Sequence, residues 1–322
     1  MQVRPLGQSG IQASVVGLGT WAIGGTWWGG TDEKDSIDAI RAGIDAGVNL
    51  IDTAPMYGPE TSEILVGKAI APYRDRVVLA TKCGLVMGGS DGELFFTMGD
   101  TPVYRLLRPD SIRRELESSL RRLQTDHIDL YQSHWQETTT PIEDTMAGLM
   151  ALKDEGKIRT IGVSNAQVSH LEGYHAAGPL DSAQEKYSMI DRRLEEAVLP
   201  YCREHDIAVL AYSPLELGLL TGKMTPEREF NEGDQRKGNP KFGPENVSKI
   251  NAMLQEFAPI ADAHSVTIAQ LVIAWTVHQP GLTHALVGAR NPKQALENAK
   301  AGDVRLSESE LATMGEAVAR HQ

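Results

Sequence analysis

Four residues with the chemistry of proton transfer stand at or just after the ends of separate apolar runs: Asp52, Tyr57, Lys82 and His134. A carbonyl group that receives a hydride becomes an alkoxide, so it needs a proton donor and polar groups directed at the developing negative charge. A phenol, an ammonium, a carboxylate and an imidazole at one site would meet both needs. The sequence therefore predicts carbonyl chemistry, provided that the fold brings these four side chains together.

Each of the four has an expected role in that chemistry. Free tyrosine, with a pKa of about 10, donates a proton poorly near neutral pH. A nearby Lys82 ammonium would favour the phenolate and lower the pKa of Tyr57, and Asp52 would hold the lysine charged and in place. His134 would orient the carbonyl by a hydrogen bond or help to relay the proton. We therefore expect Tyr57 to be the acid and Asp52 its support.

The elements that must position these residues follow from an alternation along the chain. Apolar residues recur at helical spacing between short apolar runs, as at Ile112, Leu116 and Leu120. Strands that are apolar throughout and alternate with helices predict an α/β fold with a parallel sheet covered by helices. Eight such units fit a (β/α)₈ TIM barrel better than an open sheet. The runs occupy residues 14–21, 48–54, 76–82, 127–134, 158–165, 180–188, 207–214 and 283–289.

Active sites of such barrels lie at the C-terminal ends of the strands. The polar residues expected at that mouth are Asp52, Lys82, His134, Asn165, Gln184 and Tyr212, with Tyr57 one short loop beyond Asp52.

Three segments fall outside the repeat, within what we expect to be a single domain over residues 1–322. Residues 1–13 predict a short hairpin that closes the bottom of the barrel. The polar stretch 218–247, after the seventh strand, is longer than an ordinary connection and is a lid candidate. Residues 306–320 carry a Ser-x-x-Glu capping box and predict an extra C-terminal helix.

Composition excludes several classes of function. The net charge is −12, with acidic and basic residues mixed along the chain, so there is no basic patch for nucleic acid or an anionic membrane. No apolar run is long enough to span a bilayer, and no signal peptide follows Met1, which predicts a cytoplasmic protein.

The two cysteines, Cys83 and Cys202, cannot form a disulfide framework, and the histidines lack the spacing of a metal site. Residues 17–24 and 218–224 lack the glycine spacing of a Rossmann fingerprint and of a P-loop.

Four motifs carry a resemblance to a known family: "GLGTW" (17–21), "IDTAPMYG" (51–58), "TKCG" (81–84) and "IDLYQSHW" (128–135). With them the sequence resembles the aldo-keto reductases over essentially its entire length. The resemblance implies a (β/α)₈ barrel that binds a nicotinamide dinucleotide in extended form across its mouth. It also implies that Asp52, Tyr57, Lys82 and His134 are the catalytic tetrad.

The same resemblance assigns cofactor contacts. Thr20 and Trp21 would lie near the nicotinamide and the substrate, and Tyr212 would stack on the nicotinamide ring. The other positions carried over are Ser164, Asn165 and Gln184 for the carboxamide, Ser213, Leu215, Leu217 and Lys223 for the pyrophosphate, and Gly288, Arg290, Gln294, Glu297 and Asn298 in the adenosine-binding stretch.

Cofactor preference has a physical argument of its own. Arg290 and Lys293 stand beside a predicted helix N-terminus, which suits an adenosine 2′-phosphate, so NADPH/NADP⁺ is expected over NADH. The alternative is that both cations simply belong to an ordinary solvated helix start and bind no phosphate, so use of NADH stays open.

The substrate pocket is expected to have an aromatic wall formed by Trp21, Trp28 and Trp135. Trp27 and Trp28 could equally belong to a surface loop on the barrel rim. Gln136 stands where the family often has proline, and residues 84–108 form a long individual loop, so both bear on substrate choice.

The function predicted from the sequence is reversible hydride transfer between NADP(H) and a small aldehyde or ketone, or the corresponding alcohol or polyol, with Tyr57 as general acid and base. Two alternatives remain open: a cofactor-sensing interaction subunit of the same fold, and a nicotinamide-independent isomerase or epimerase with Lys82 and Asp52 as bases. The intact set of four polar residues favours an enzyme. Polar carbonyl compounds of low molecular weight are the expected substrates, whereas the sequence leaves the reaction direction, the stereochemistry and the oligomeric state undetermined.

Overall fold

Eight parallel strands close into a barrel in the computed structural model, which describes residues 1–89 and 91–321. The strands, in chain order, are β1 (Val3–Pro5), β2 (Gln12–Ser14), β3 (Val16–Gly19), β4 (Leu50–Asp52), β5 (Val78–Cys83), β6 (Leu85–Met87), β7 (Glu93–Met98), β8 (Thr101–Arg105), β9 (Ile128–Ser133), β10 (Ile158–Ser164), β11 (Ser182–Lys186), β12 (Ala208–Tyr212) and β13 (His284–Gly288). The barrel runs β3-β4-β5-β9-β10-β11-β12-β13 and closes from β13 back to β3. The predicted (β/α)₈ fold is confirmed.

Helices pack around this barrel. They are α1 (Glu33–Asp45), α2 (Thr61–Ile70), α3 (Pro109–Leu123), α4 (Ile142–Asp154), α5 (Val168–Ala177), α6 (Val198–Glu204), α7 (Pro244–Gln255), α8 (Ala258–His264), α9 (Ile268–Val277), α10 (Pro292–Lys300) and α11 (Glu308–His321). Local sequence sets several of their starts: Asn291 accepts the Gln294 N–H at the start of α10, and Thr267 with Gln270 forms a capping box at α9. The predicted C-terminal helix is confirmed as α11, with Ser307 and Glu310 bonded reciprocally at its start.

The N-terminal hairpin seals the lower end of the barrel, as predicted. Strands β1 and β2 pair antiparallel, and Leu6 between them is fully buried among barrel-interior side chains that include Leu130 and Leu210. Gly7 permits this approach, because a Cβ at its left-handed backbone would lie 2.2 Å from the carbonyl oxygen of Asp181. The opposite, C-terminal end of the barrel remains open for a site.

Strands β6, β7 and β8 form a small antiparallel sheet where the sequence suggested only a long loop. Its strand order is β6-β8-β7, and a register shift lies between Leu94 and Phe96. The shift breaks the alternation of apolar and polar residues by which strands are recognised in sequence. The sheet packs on the barrel mouth through Leu85, Val103 and Trp135, so it belongs to the wall of the site.

The long segment after β12 forms only two short 3₁₀ helices, Glu216–Thr221 and Pro240–Phe242, before α7 begins at Pro244. It packs against residues 25–31: Gln235 N–H donates to the Trp27 carbonyl, and Trp28 and Asp234 form an isolated antiparallel bridge. The two segments together form one side of the barrel mouth.

No single helix in residues 1–89 and 91–321 has the length and apolar character needed to cross a membrane. Helices α8 and α9 meet those criteria only when taken together, and they are bent by 88° relative to each other.

Candidate active site

A buried ion pair lies at the centre of the open end of the barrel. Asp52 is the last residue of β4, and Lys82 lies on the neighbouring strand β5. The Lys82 Nζ donates to both carboxylate oxygens of Asp52, at 2.9 and 2.8 Å, and to the carbonyl oxygen of Thr53 at 2.9 Å. Lys82 is fully buried and Asp52 is 2% exposed. The three N–H groups of the ammonium therefore all have acceptors in one dipeptide.

Thr20 supports this pair from behind and does not reach the cavity. Its hydroxyl and its backbone N–H both donate to the Asp52 carbonyl, at 2.9 and 3.0 Å. The same hydroxyl lies 2.7 Å from the Ser62 hydroxyl, and Thr20 is fully buried. The polar atoms of Thr20 thus fix the end of β4, and its expected position near the nicotinamide stays a prediction.

Tyr57 and His134 stand in front of the ion pair. The Lys82 Nζ lies 4.8 Å from the centroid of the Tyr57 ring, and the Tyr57 and His134 ring centroids are 5.9 Å apart. Gly58 makes the turn after Tyr57 possible, since a Cβ at its φ of +59° would lie 1.8 Å from the Gly24 carbonyl oxygen. All four predicted catalytic residues are thus brought together.

The electrostatics of the group differ from the sequence expectation. Burial, together with the Asp52 carboxylate, raises the pKa of Tyr57 well above its ordinary value. The expected lowering of the Tyr57 pKa by Lys82 is wrong for this arrangement, because the ammonium is neutralised by Asp52 at short range. Burial lowers the pKa of Lys82, with Asp52 acting against that shift. Burial and the Lys82 charge lower the pKa of His134 well below its ordinary value, so the imidazole is neutral at physiological pH.

A cavity of about 630 Å³ opens in front of these residues at the C-terminal ends of the strands. Asp52, Tyr57 and His134 line it, whereas Lys82 and Thr20 lie behind its wall. The remaining residues predicted to bind cofactor all line it: Trp21, Ser164, Asn165, Gln184, Tyr212, Ser213, Leu215, Leu217, Lys223, Gly288, Arg290, Gln294, Glu297 and Asn298.

Hydrogen bonds between neighbouring wall residues engage the polar groups of Ser164 and Asn165. The Asn165 Nδ2 donates to the His134 carbonyl at 2.9 Å and to the Ser164 hydroxyl at 3.1 Å. The Asn165 Oδ1 accepts from the Tyr212 hydroxyl at 2.8 Å, and the Ser164 hydroxyl donates to the Gln184 carbonyl at 2.8 Å. The Gln184 Oε1, by contrast, has no hydrogen-bond partner among the residues that the structure describes.

The other end of the cavity carries cations. The Arg290 guanidinium donates to the carbonyls of Trp28 and Gly30, at 3.2 and 2.5 Å, just before the N-terminus of α10. Lys223 binds both carboxylate oxygens of Glu297 at 2.7 Å, which links the loop after β12 to α10.

The backbone between these two ends turns tightly. Leu217 and Gly218 have φ values of 56° and 96°, and the Gly218 N–H donates to the Leu215 carbonyl at 2.9 Å.

Aromatic rings enclose the space beside Tyr57 and His134. Trp21, Trp27, Trp28 and Trp135 all line the cavity, so the pocket-wall reading of Trp27 and Trp28 is the correct one. The rings of Trp21 and Trp28 meet edge to face with centroids 5.5 Å apart. Trp21, Trp28 and Trp135 thus lie where the sequence placed them, and their contact with substrate stays a prediction.

The small sheet adds two rings that sequence reasoning missed. Phe95 lies 5.0 Å from Trp135 and Phe96 lies 6.5 Å from Trp27, both measured between ring centroids, and both phenylalanines line the cavity. The sequence pattern that could have predicted a strand here is the apolar triplet Leu94-Phe95-Phe96, which is flanked by glycine-bearing turns.

Two further residues at the site are explained only by the structure: Arg236, which the sequence analysis missed, and Gln136, to which it gave no specific role. Arg236 lines the cavity, pairs with Asp234 at 2.7 Å, and lies 5.1 Å from the Trp28 ring centroid. Gln136, which replaces a frequent proline, is buried and donates to the Ser133 hydroxyl and the Ser164 carbonyl, at 2.9 and 3.1 Å. Gln136 thereby links the turn after Trp135 to Ser164 on the cavity wall.

These residues fit a nicotinamide dinucleotide. The free acceptor of Gln184 suits an amide N–H at one end, and the cations beside the α10 N-terminus suit phosphate at the other.

The comparison with protein families agrees with this geometry. The model of the aldo/keto reductase family matches residues 15–319. The chain belongs to this family. This aldo/keto reductase is 44% identical over 322 residues to the NADH-specific methylglyoxal reductase of Escherichia coli (strain K12), with 98% of each protein covered. It is also 44% identical over 297 residues to an aldo-keto reductase of Bacillus subtilis (strain 168), covering 91% of this chain and 86% of that protein.

Solved structures give the same result. A glycerol dehydrogenase from Gluconobacter oxydans superposes with a TM-score of 0.88 at 38% identity, covering 99% of this chain and 95% of the other. An aldo-keto reductase from Klebsiella pneumoniae in complex with NADPH gives a TM-score of 0.73 at 28% identity, covering 98% and 95%. The aldo/keto reductase described here is an NAD(P)H-dependent oxidoreductase that acts on carbonyl or alcohol groups.

Proposed function

We propose that this enzyme transfers a hydride reversibly between a nicotinamide cofactor and a small aldehyde or ketone, with Tyr57 as the general acid and base. The observation that carries the proposal is the placement of Tyr57 and His134. Their ring centroids are 5.9 Å apart on one cavity wall, directly in front of the Asp52–Lys82 pair. A substrate oxygen between the two rings would have a phenol and an imidazole as partners.

The raised pKa of Tyr57 suits a proton donor. A bound nicotinamide would supply the hydride. The phenol stays protonated at neutral pH and gives up its proton only to a strong base such as the alkoxide that the reduction creates. Lys82, 4.8 Å from the Tyr57 ring centroid, then stabilises the phenolate that remains. The neutral His134 can donate one ring N–H to the carbonyl oxygen and hold it near Tyr57.

Small uncharged carbonyl compounds are the proposed substrates. The space beside Tyr57 is bounded by the rings of Trp21, Trp28 and Trp135, and the guanidinium of Arg236 beside Trp28 is already paired with Asp234 at 2.7 Å, so this space favours an uncharged substrate. The relatives support the same range, because methylglyoxal and glycerol, named in two of them, are both small and uncharged.

We propose NADPH as the preferred cofactor, with NADH also accepted. Arg290 lines the cavity just before α10, and Lys293 is exposed on the first turn of that helix, so both can meet a 2′-phosphate. The relative from Escherichia coli is named NADH-specific, so measuring both cofactors side by side is the direct check.

The test is a turnover assay with NADPH and with NADH against small sugar aldehydes, polyols, 2-oxoaldehydes and aromatic aldehydes. Turnover of at least one class supports the proposal. Quenching of tryptophan fluorescence by the dinucleotide without any turnover would favour a cofactor-sensing interaction subunit. Absence of both would favour the nicotinamide-independent isomerase or epimerase.

We further propose a cytosolic location. Cys83 and Cys202 are both buried free thiols, a state that a reducing compartment maintains.

A further inference from the structure

The turn that carries Tyr57 is continuous with the first turn of α2. The Tyr57 N–H donates to the Ala54 carbonyl at 3.1 Å, and the Tyr57 carbonyl accepts the Ser62 N–H at 3.1 Å. The Gly58 carbonyl likewise accepts the Thr61 N–H at 2.8 Å. Because these backbone bonds join the turn to the helix, a displacement of the start of α2 moves Tyr57 with it.

Ser62 links the start of α2 to the end of β4. It is fully buried, and its hydroxyl lies 2.9 Å from the Thr53 hydroxyl and 2.7 Å from the Thr20 hydroxyl. The carbonyl of Thr53 is one of the three acceptors of the Lys82 ammonium. Ser62 therefore holds the Tyr57 turn against the backbone that binds Lys82.

Glu63 links the same turn of α2 to β5. It is fully buried, and its Oε1 accepts from the Thr81 hydroxyl at 2.6 Å. Thr81 directly precedes Lys82 on β5. The Arg122 Nε of α3 donates to the Glu63 Oε2 at 2.6 Å, so the buried carboxylate is paired. Short bonds on both oxygens make Glu63 a firm link between α2 and the strand that carries the lysine.

Ser62 and Glu63 do not line the cavity, so they act on the reaction only through Tyr57 and Lys82. Burial lowers the pKa of Lys82, and the charges of Asp52 and Glu63 oppose that shift. The Glu63 carboxylate thus also helps to keep the ammonium charged.

We propose that Ser62 and Glu63 are positioning residues for proton transfer, which together fix the distance between the Tyr57 ring and the Lys82 ammonium. The inference rests on the proposed function of Tyr57 as general acid and base. The ammonium lies 4.8 Å from the ring centroid, and its attraction to a phenolate falls with distance. Loosening either link should therefore weaken the stabilisation of the phenolate.

Two variants each remove one link and leave the charges in place: Thr81→Val and Ser62→Ala. We expect the single-turnover rate of carbonyl reduction to fall roughly tenfold, because the proton donor is no longer held in place. The rise of kcat/KM with pH in alcohol oxidation should move to higher pH. Dinucleotide binding, followed by quenching of the tryptophans that line the cavity, should stay within a few-fold of the wild type. Thr81→Ser, which keeps the hydroxyl, should restore both the rate and the pH profile.

Thr160→Val is the matched control. Thr160 is a buried threonine on β10 that does not line the cavity, and its hydroxyl donates to the Asp129 carbonyl, also at 2.6 Å. This variant loses one short buried hydrogen bond, as Thr81→Val does, so both should lose thermal stability. Only Thr81→Val should change the rate and the pH profile.

The possible failures are distinguishable. A wild-type rate and pH profile in both Thr81→Val and Ser62→Ala overturn the inference and leave the proposed function intact. Changes of the same size in Thr160→Val do the same. Failure of the wild type to reduce any carbonyl, or unchanged turnover in Tyr57→Phe, overturns the proposed function and the inference with it. Thermal unfolding confirms that each variant is folded, and if one of the two link variants is not, the other decides the question.

Discussion

The Lys82 ammonium lies 4.8 Å from the centroid of the Tyr57 ring while its three N–H groups bind Asp52 and Thr53. Lys82 thus acts on Tyr57 through the face of the ring, and its charge is largely balanced by Asp52. This explains why the phenol remains protonated although an ammonium is close. Replacing Tyr57 and replacing Lys82 should therefore have different consequences.

Replacing Tyr57 by phenylalanine should lower kcat for carbonyl reduction by about 10²–10⁴-fold, the usual contribution of a positioned proton donor. Cofactor binding, followed by tryptophan quenching, should stay within a few-fold of the wild type because the ring remains. Tyr212→Phe is the matched control: it also loses one hydroxyl at the cavity, but that hydroxyl binds Asn165. Unchanged turnover in Tyr57→Phe would exclude the tyrosine as the acid.

Replacing Lys82 by methionine should affect both rate and stability. The uncompensated Asp52 charge would raise the pKa of Tyr57 further, so the rise of kcat/KM with pH in alcohol oxidation should move to higher pH. Breaking a buried ion pair costs about 3–5 kcal/mol, measurable by urea unfolding.

The double variant Lys82→Met with Asp52→Leu separates the two effects. It should recover part of the stability, because no unpaired charge remains, but none of the rate. A pH profile that does not move in Lys82→Met would contradict the coupling between lysine and tyrosine.

Replacing Arg290 by glutamine should change the cofactor preference. Loss of a charge-assisted hydrogen bond to a phosphate costs about 1.5–3 kcal/mol, so the KM for NADPH should rise roughly tenfold or more while that for NADH changes little. The ratio of the two KM values is the informative quantity, since Arg290 also binds the Trp28 and Gly30 carbonyls and their loss affects both cofactors alike. Equal increases for the two cofactors would show that Arg290 has only a structural role.

Replacing Phe96 by alanine should alter substrate choice. Phe96 faces Trp27 across the cavity mouth, and its removal takes away a surface on which an aromatic substrate can pack. We expect kcat/KM for benzaldehyde-type substrates to fall roughly tenfold relative to that for small aliphatic aldehydes. Met98→Ala in the same strand is the control, because Met98 packs in the sheet without lining the cavity. An equal loss for both substrate types would assign Phe96 to the sheet alone.

Glu185 should make stability depend on pH. It is buried, it accepts a hydrogen bond from the Ala166 N–H at 2.7 Å, and burial raises its pKa from an ordinary 4.5 to about 8. The folded protein therefore holds a proton that the unfolded chain releases, so stability falls as pH rises from 4.5 toward 8, by about 1.4 kcal/mol per pH unit.

Glu185→Gln, which keeps the acceptor for Ala166 and cannot ionise, should be more stable than the wild type at pH 8 and equal to it near pH 4. Chemical unfolding at both pH values measures the difference. The exposed Glu229→Gln is the control and should show no such dependence. A wild-type stability that does not fall between these pH values would refute a protonated Glu185.

The sequence by itself determined the barrel and the four catalytic candidates. Strand and helix periodicity are local properties, and each of the eight apolar runs carries its own signal, so the fold could be read without long-range information. Asp52, Tyr57, Lys82 and His134 were found because the C-terminal ends of parallel strands must converge in a closed barrel.

Only the tertiary structure decided how those residues are partnered. Phe95 and Phe96 line the site because the small sheet packs over the barrel mouth. Its bulge interrupts the alternation of apolar and polar residues from which the strands could have been predicted. The Thr20 hydroxyl bonds the Asp52 carbonyl and the Ser62 hydroxyl, two partners distant in sequence. The pKa of Tyr57 was likewise set by burial and by the Asp52 charge, and the Gln184 amide was oriented by its 2.7 Å contact with the Asp52 carboxylate. Both depend on distances of a few ångströms in the folded chain, which no local pattern in the sequence encodes.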